Sequence, residues 1–158
     1  MNANIEQAVI LVKPDGLQRG LVGEIIGRFE KKGLKIVGLK MMTLADEVLD
    51  QWYAHHKEKA FFGNLKSFMM SSPIVAILVE GVECIEAVRI ITGATKARVA
   101  DAGSIRGDLA MSQQQNLIHA SDSDENAARE RSLIFGEDEV FEYDKDLEVH
   151  IYAADERK

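Results

Sequence analysis

Apolar and polar positions along this chain follow two periods, one near 2 and one near 3.6, and the period changes where turn residues stand. Val9 to Val12 is a short apolar, partly β-branched run closed by Lys13-Pro14-Asp15-Gly16, which predicts a buried strand ending in a turn. Leu21, Val22, Ile25, Ile26 and Phe29 then recur at helical spacing, with Gly33 behind Lys31 and Lys32 as a C-terminal stop. Leu34 to Met42 alternates loosely, Lys35 and Lys40 interrupting the apolar positions, as an edge strand with one wet side would. Asp46 is placed to cap a short helix reaching Tyr53. Phe61, Leu65, Phe68 and Met69 make a second helical stripe before Ser71-Ser72-Pro73, so the two read as an inserted helical hairpin. Ile74 to Val79 is as uniformly apolar as the first strand, which makes those two the central pair. Cys84, Ile85, Val88 and Ile91 predict a helix stopped at Gly93, Leu117-Ile118 a short fourth strand, and Asp122 to Ile134 a last helix.

That order, β-α-β-β-α-β with additions, is the ferredoxin-like α+β arrangement. It is an antiparallel four-stranded sheet with helices on one face, here with an inserted helical hairpin and a long loop, and it hosts many functions. The loop between Gly93 and Gln115 has no clear periodicity and exceeds the usual connection in a compact domain, a length that goes with function or disorder. The acidic tail from Gly136 to Lys158 reads as a surface segment whose Val149, Ile151 and Tyr152 are available to dock. With 158 residues, no repeat and no linker, a single domain spanning 1–158 is expected.

Composition narrows the classes. The lone Cys84 rules out an intramolecular disulfide and lacks the partners of a structural zinc site. No apolar run approaches the roughly 20 residues of a membrane span, and the N-terminus reads as neither basic nor apolar enough for a leader, so a cytoplasmic address without a membrane partner is expected. Nineteen basic against 26 acidic residues give a net charge of -7, which disfavours broad nucleic-acid binding. A small anion can still be held where basic side chains cluster, because salt screens the more distant charges and the local cluster overrules the net field at close range.

The most informative segment is Asn116-Leu117-Ile118-His119-Ala120-Ser121-Asp122-Ser123, where a strand delivers a histidine to the brink of a helix. Ser121, Asp122 or Ser123 can cap that helix, and its first-turn N–H groups favour a phosphate nearby while opposing a charged imidazolium. A neutral imidazole is the form that attacks phosphorus. Glu130 shares a helical face with Ala127 and Ile134, so its carboxylate points inward and needs a partner; a ring nitrogen of His119 is a reasonable one, leaving the other nitrogen to react. Against this stands the plainer reading that a histidine at a strand end is more often structural than catalytic. Adjacent His55 and His56 diverge on a helix, form no i,i+4 metal pair, and are read with His150 as surface residues. Phosphate contacts fall to Lys13, Arg89, Thr95, Arg98 and Arg106. Gly16, Gly20 and Gly23 are followed by no Gly-Lys-Ser/Thr and so serve turns and helix packing. No carboxylate cluster resembles a metal cage, so magnesium would arrive on a nucleotide.

Taken together, these motifs resemble the nucleoside diphosphate kinase family along nearly the whole chain. The likeness rests on Val12-Lys13-Pro14-Asp15-Gly16-Leu17-Gln18-Arg19-Gly20, on Ile105-Arg106-Gly107-Asp108 and on the segment from Asn116 to Ser123. It implies His119 as the phosphorylated nucleophile in a ping-pong transfer of the γ-phosphate from a nucleoside triphosphate to a diphosphate, with Glu130 and Ser121 in support and Tyr53 nearby. It further implies phosphate contacts from Lys13, Arg89, Thr95 and Arg106, sugar contacts from Asn116 and Lys13, base stacking on Phe61, Mg2+ carried by the nucleotide, and a homo-hexamer or tetramer. Ala120 stands where the family commonly has glycine, Gln113 where it has an apolar residue facing the base, Ala60 where it has proline, and Lys96-Ala97 where it has Asn-Pro. The competing reading is a non-catalytic ferredoxin-like nucleotide-binding or regulatory module. An RNA-binding version would need a Lys/Arg-Gly-Phe/Tyr strand that is absent.

Overall fold

A computed structural model describes residues 4–157. Met1 to Ala3, part of the stretch read for a leader, and Lys158 at the end of the tail lie outside them. The elements run β1 (Ile5–Val12), α1 (Pro14–Gln18), α2 (Val22–Lys32), β2 (Lys35–Met42), α3 (Asp46–Trp52), α4 (Phe62–Met69), β3 (Ile74–Val82), α5 (Cys84–Thr92), α6 (Ile105–Leu109), β4 (Ile118–Ala120) and α7 (Asp124–Ile134). Short 3-10 turns at Ala54–His56, Ala97–Val99, Glu137–Glu139 and Asp146–His150 join them. The four strands form one antiparallel sheet in the order β2-β3-β1-β4. β1 and β3 are therefore the inner strands and β2 an edge, as their apolar runs predict.

Alternation along β1 explains how the sheet is covered. Ala8, Ile10 and Val12 face one apolar cluster with Ile25 and Phe29 of α2 and Val88 of α5, the two helices of the β-α-β-β-α-β repeat. Val9 and Leu11 face a second cluster with Leu49 and Trp52 of α3, Met69 of α4 and Ile134 of α7. The inserted hairpin and the last helix thus cover the sheet's other side, which is why Ala8 to Val12 are all completely buried. Full burial of a side chain such as Ile10 or Leu11 stabilises by about 2 kcal/mol.

Several elements differ from the pattern-based expectation. Both inner strands are longer, starting at Ile5 and ending at Val82. The Pro14 turn closes into a short helix, with proline at its first position where the missing N–H costs nothing. Asp46 does not cap α3: Ala45 holds that position without a side-chain bond, and Asp46 pairs with Lys66 of α4 at 2.7 Å. β4 is Ile118–Ala120, one residue on from the segment read as a strand, and α7 starts at Asp124 with Ser123 as the cap, accepting the Asn126 N–H. The long loop is ordered and carries α6, capped by Ser104. The tail docks over the sheet edge: the Phe141 N–H bonds the Val37 carbonyl, and Tyr143 Oη donates to the Ile36 carbonyl. Ile151 fills the space left by Gly33, Tyr152 Oη accepts the Val82 N–H, and Val149 stays exposed.

Candidate active site

His119 sits at the centre of β4, opposite Leu11, where the sheet's last strand pairs with β1 for only three residues. Its ring is held from two sides. Nε2 lies 3.0 Å from Glu130 Oε2, and the ring meets Trp52 edge-on with centroids 4.9 Å apart. Nε2 is buried, its N–H is angled off the carboxylate oxygen, and among the described residues it has no better-aligned partner. The Ser121 hydroxyl, itself buried, donates to Glu130 Oε1 at 2.6 Å and accepts the Val9 N–H at 2.9 Å, so the carboxylate is tied to β1. Among the described residues no group hydrogen-bonds Nδ1.

The histidine opens into a cavity of about 1140 Å3 between α3, the 3-10 turn at Ala54, α5, α6 and β4, wide enough for a nucleotide. Lys13, Tyr53, Phe61, Arg89, Thr95, Arg106, Asn116, His119 and Glu130 all line it, whereas Ser121 sits behind Glu130. Arg98 does not: the Ala97 turn carries it on the surface. His55 and His56, read as diverging surface residues, lie with ring centroids 3.9 Å apart at a 47° tilt and both line the cavity, because the chain there is a 3-10 turn rather than an α-helix. His150 is exposed, as expected.

The basic side chains are built in. Lys13 Nζ donates to Asn116 Oδ1 at 2.8 Å, and Asn116 Nδ2 donates to the Thr95 and Gln113 carbonyls, which pins the long loop to the site. Arg106 donates to the carbonyls of Gly93, Asn116 and Ile118. Burial and the neighbouring Arg106 draw Lys13 down to about 8, with Asp15 opposing. Burial and Arg89 draw Arg106 down to about 10. Cations held this far below their ordinary values are ones that an added negative charge would stabilise. Burial, with the charge of Glu130, pushes Tyr53 up to about 12 and keeps it a neutral hydrogen-bond donor. Asp122 is the carboxylate on the rim, held below its usual range by its Asn126 bond. Among the described residues no group of three or more histidine, cysteine or acidic side chains is arranged to hold a metal.

Sequence reasoning missed two features. Trp52 reads as an ordinary core residue of α3. Leu117 adopts a φ of 75°, and the Ile118 N–H bonds the Asn116 carbonyl at 3.0 Å, closing a strained three-residue turn just before His119. No residue-type signal marks either.

Fold and site together define a ferredoxin-like α+β domain with a basic, nucleotide-sized cavity arranged around one histidine. The nucleoside diphosphate kinase family profile matches residues 6–140. A nucleoside diphosphate kinase of Archaeoglobus fulgidus is 49% identical over 148 residues, covering 94% of this chain and 98% of the relative. One of Parabacteroides distasonis is 47% identical over 152 residues, covering 96% and 99%. Among solved structures, a halophilic nucleoside diphosphate kinase from Halobacterium salinarum in complex with CDP superposes with a TM-score of 0.91 at 43% identity, over 94% of this chain and 99% of that one. The chain belongs to the nucleoside diphosphate kinase family, and its activity is the transfer of a terminal phosphate between nucleotides.

Proposed function

We propose that His119 carries the phosphate in a ping-pong cycle. Nδ1 attacks the γ-phosphorus of a nucleoside triphosphate, the bond to the β-phosphate oxygen breaks, and the diphosphate leaves. A terminal oxygen of a second diphosphate then attacks the phosphohistidine and regenerates the imidazole. The observation that carries this reading is the pairing of Nε2 with Glu130, which turns Nδ1 toward the cavity as the nucleophile. Ser121 positions Glu130, and Tyr53 is a neutral donor beside the ring. Lys13, Arg89, Thr95 and Arg106 take the phosphates, Asn116 and Lys13 the sugar, and Phe61, half exposed at the mouth, the base.

Magnesium suits the cavity as a companion of the nucleotide. Lys13, Arg89 and Arg106 line the cavity as the candidate phosphate contacts, and Asp122 lines it as a carboxylate that would be available to a nucleotide-borne metal. When bound, the metal neutralises phosphate charge. The CDP held by the Halobacterium protein supports nucleotides as this chain's partners. A single domain fits one sheet with a docked tail, and a hexamer or tetramer in the cytoplasm, without nucleic-acid or membrane partners, completes the reading. No helix among the described residues is long and apolar enough to cross a membrane.

The experiment is incubation with magnesium and terminally labelled ATP. The parent takes up label that resists base, yields to acid and passes to added GDP, whereas His119→Ala takes up none. A parent that binds nucleotide yet accepts no label leaves the non-catalytic module as the reading.

A further inference from the structure

The Lys13-Pro14-Asp15-Gly16 turn opens the site, yet Asp15 does not line the cavity. Its Oδ2 accepts the Leu117 N–H at 3.0 Å, across the chain from its own turn. Its Oδ1 is buried without a hydrogen-bond partner among the described residues. A buried carboxylate oxygen with no bond is costly unless opposite charge faces it. Lys13, in the same turn, and Arg106, from α6, supply that charge.

What Asp15 holds is the strained turn. Leu117 and Glu83 are the two non-glycine residues with positive φ among those described. Four backbone polar groups around Leu117 are held by residues of the phosphate cradle and its turn. Its N–H goes to Asp15 and its carbonyl to the Lys13 N–H at 2.8 Å, while the Asn116 and Ile118 carbonyls accept from Arg106. A left-handed residue persists only where the surroundings over-determine it. The next strand pairs with β1 for three residues only, so this turn sets where His119 emerges.

We propose that Asp15 is a positioning residue for phosphotransfer: it holds the turn two residues ahead of His119, and its carboxylate faces Lys13 and Arg106 of the phosphate cradle. This rests on the reading of His119 as the phosphate carrier. The charged groups facing Lys13 are Arg106 and Asp15. Arg89 faces Arg106, and Glu130, Asp122 and Arg129 line the same cavity.

Asp15→Asn keeps an oxygen for the Leu117 N–H and removes the charge, whereas Asp15→Ala removes both. Two measurements on the full chain separate the roles: single-turnover labelling of the protein by terminally labelled ATP at pH 6.5, and kcat/KM as a function of pH. Asp15→Ala slows labelling roughly tenfold to a hundredfold, the scale of a small misplacement of a reacting group, and Asp15→Asn recovers most of that loss. In both variants the alkaline limb of kcat/KM moves to lower pH, because Lys13, drawn to about 8 by burial and Arg106, loses the charge that raises it. A residue serving folding alone would lower the melting temperature yet leave the limb and the labelling rate per folded molecule unchanged, and that result overturns the proposal. An unshifted limb in Asp15→Asn overturns it even where Asp15→Ala does not fold. A parent that takes up no acid-labile label on His119 removes the active-site reading, and this proposal with it, before any variant is compared.

Discussion

Replacing Lys13 with methionine should make the protein more stable while disabling it. The side chain is 8% exposed, and burial with Arg106 beside it moves the ammonium from an ordinary 10.5 to about 8. Holding that charge at pH 7 costs the fold about 3 kcal/mol, the free-energy equivalent of the displacement. Methionine has a similar shape and no charge, but it leaves Asn116 Oδ1 without its donor, a loss of about 1 kcal/mol. The net gain is then about 2 kcal/mol, or roughly 4–8 °C in melting temperature for a chain of this size. The pH dependence follows from the sign of the shift. Below about pH 8 Lys13 is charged in both folded and unfolded chains, and the full cost is present. Between about 8 and 10.5 the folded chain alone sheds the proton, so the variant's advantage shrinks, and above 10.5 only the lost Asn116 bond remains, leaving the parent the more stable by about 1 kcal/mol. Urea denaturation of both proteins at pH 7 and pH 10 measures it, with phosphotransfer at pH 7 expected to fall about 100- to 1000-fold. A variant no more stable than the parent at pH 7, or a gap of equal size at both pH values, would refute the claim that this cation is stored at a cost.

Other perturbations test neighbouring parts of the structure. Gly107→Ala puts a Cβ into the Asp101 carbonyl beside Arg106, so kcat/KM should drop about tenfold or more in steady-state assays, together with stability. Trp52 is the chain's single tryptophan and meets His119 edge-on, so phosphorylation should change its emission, and His119→Ala should abolish the change on adding ATP. Cys84 is buried and its thiol is pushed up to about 12, chiefly by burial; at pH 8 a disulfide reagent should react with the native protein about 100-fold more slowly than with the denatured chain. Gly33→Ala forces an L side chain into left-handed backbone at a φ of 105° and against Ile151, so urea denaturation should register a loss of at least about 1 kcal/mol.

Much of the scaffold is legible because its apolar periods are clean. Val9 to Val12 and Ile74 to Val79 have no polar interruption and prove to be the inner strands, and the stripe from Leu21 to Phe29 ends where Gly33 allows a left-handed cap. Glu130 stands out as a carboxylate on an apolar helix face that needs a partner, His119 is a reasonable candidate from its place before that helix, and the two meet at 3.0 Å. α6 escapes the same reading because it is short, with Ile105 and Leu109 its only apolar residues, and Gly103 and Asp101 before it read as loop. Arg106 is named from its charge in the long loop, but its burial is not legible there, since it depends on carbonyls from two separate stretches of chain, at Gly93 and at Asn116 and Ile118. His55 and His56 mislead because helical divergence does not hold in a 3-10 turn.

The way the last strand closes the sheet bears on when this enzyme first becomes able to work. Lys13 and Asn116 bond across 103 residues, and Val9 meets Ser121 across 112, so the cavity is made of the two halves of the chain and of neither alone. Such distant pairings form late in folding, after the loops between them have closed. A chain still being synthesised can present Lys13 and the inner strands, but His119, the proposed phosphate acceptor, is not in place until β4 slides in beside β1. In a refolding experiment, regained turnover should therefore track the final locking of the sheet rather than the earlier gain of helix.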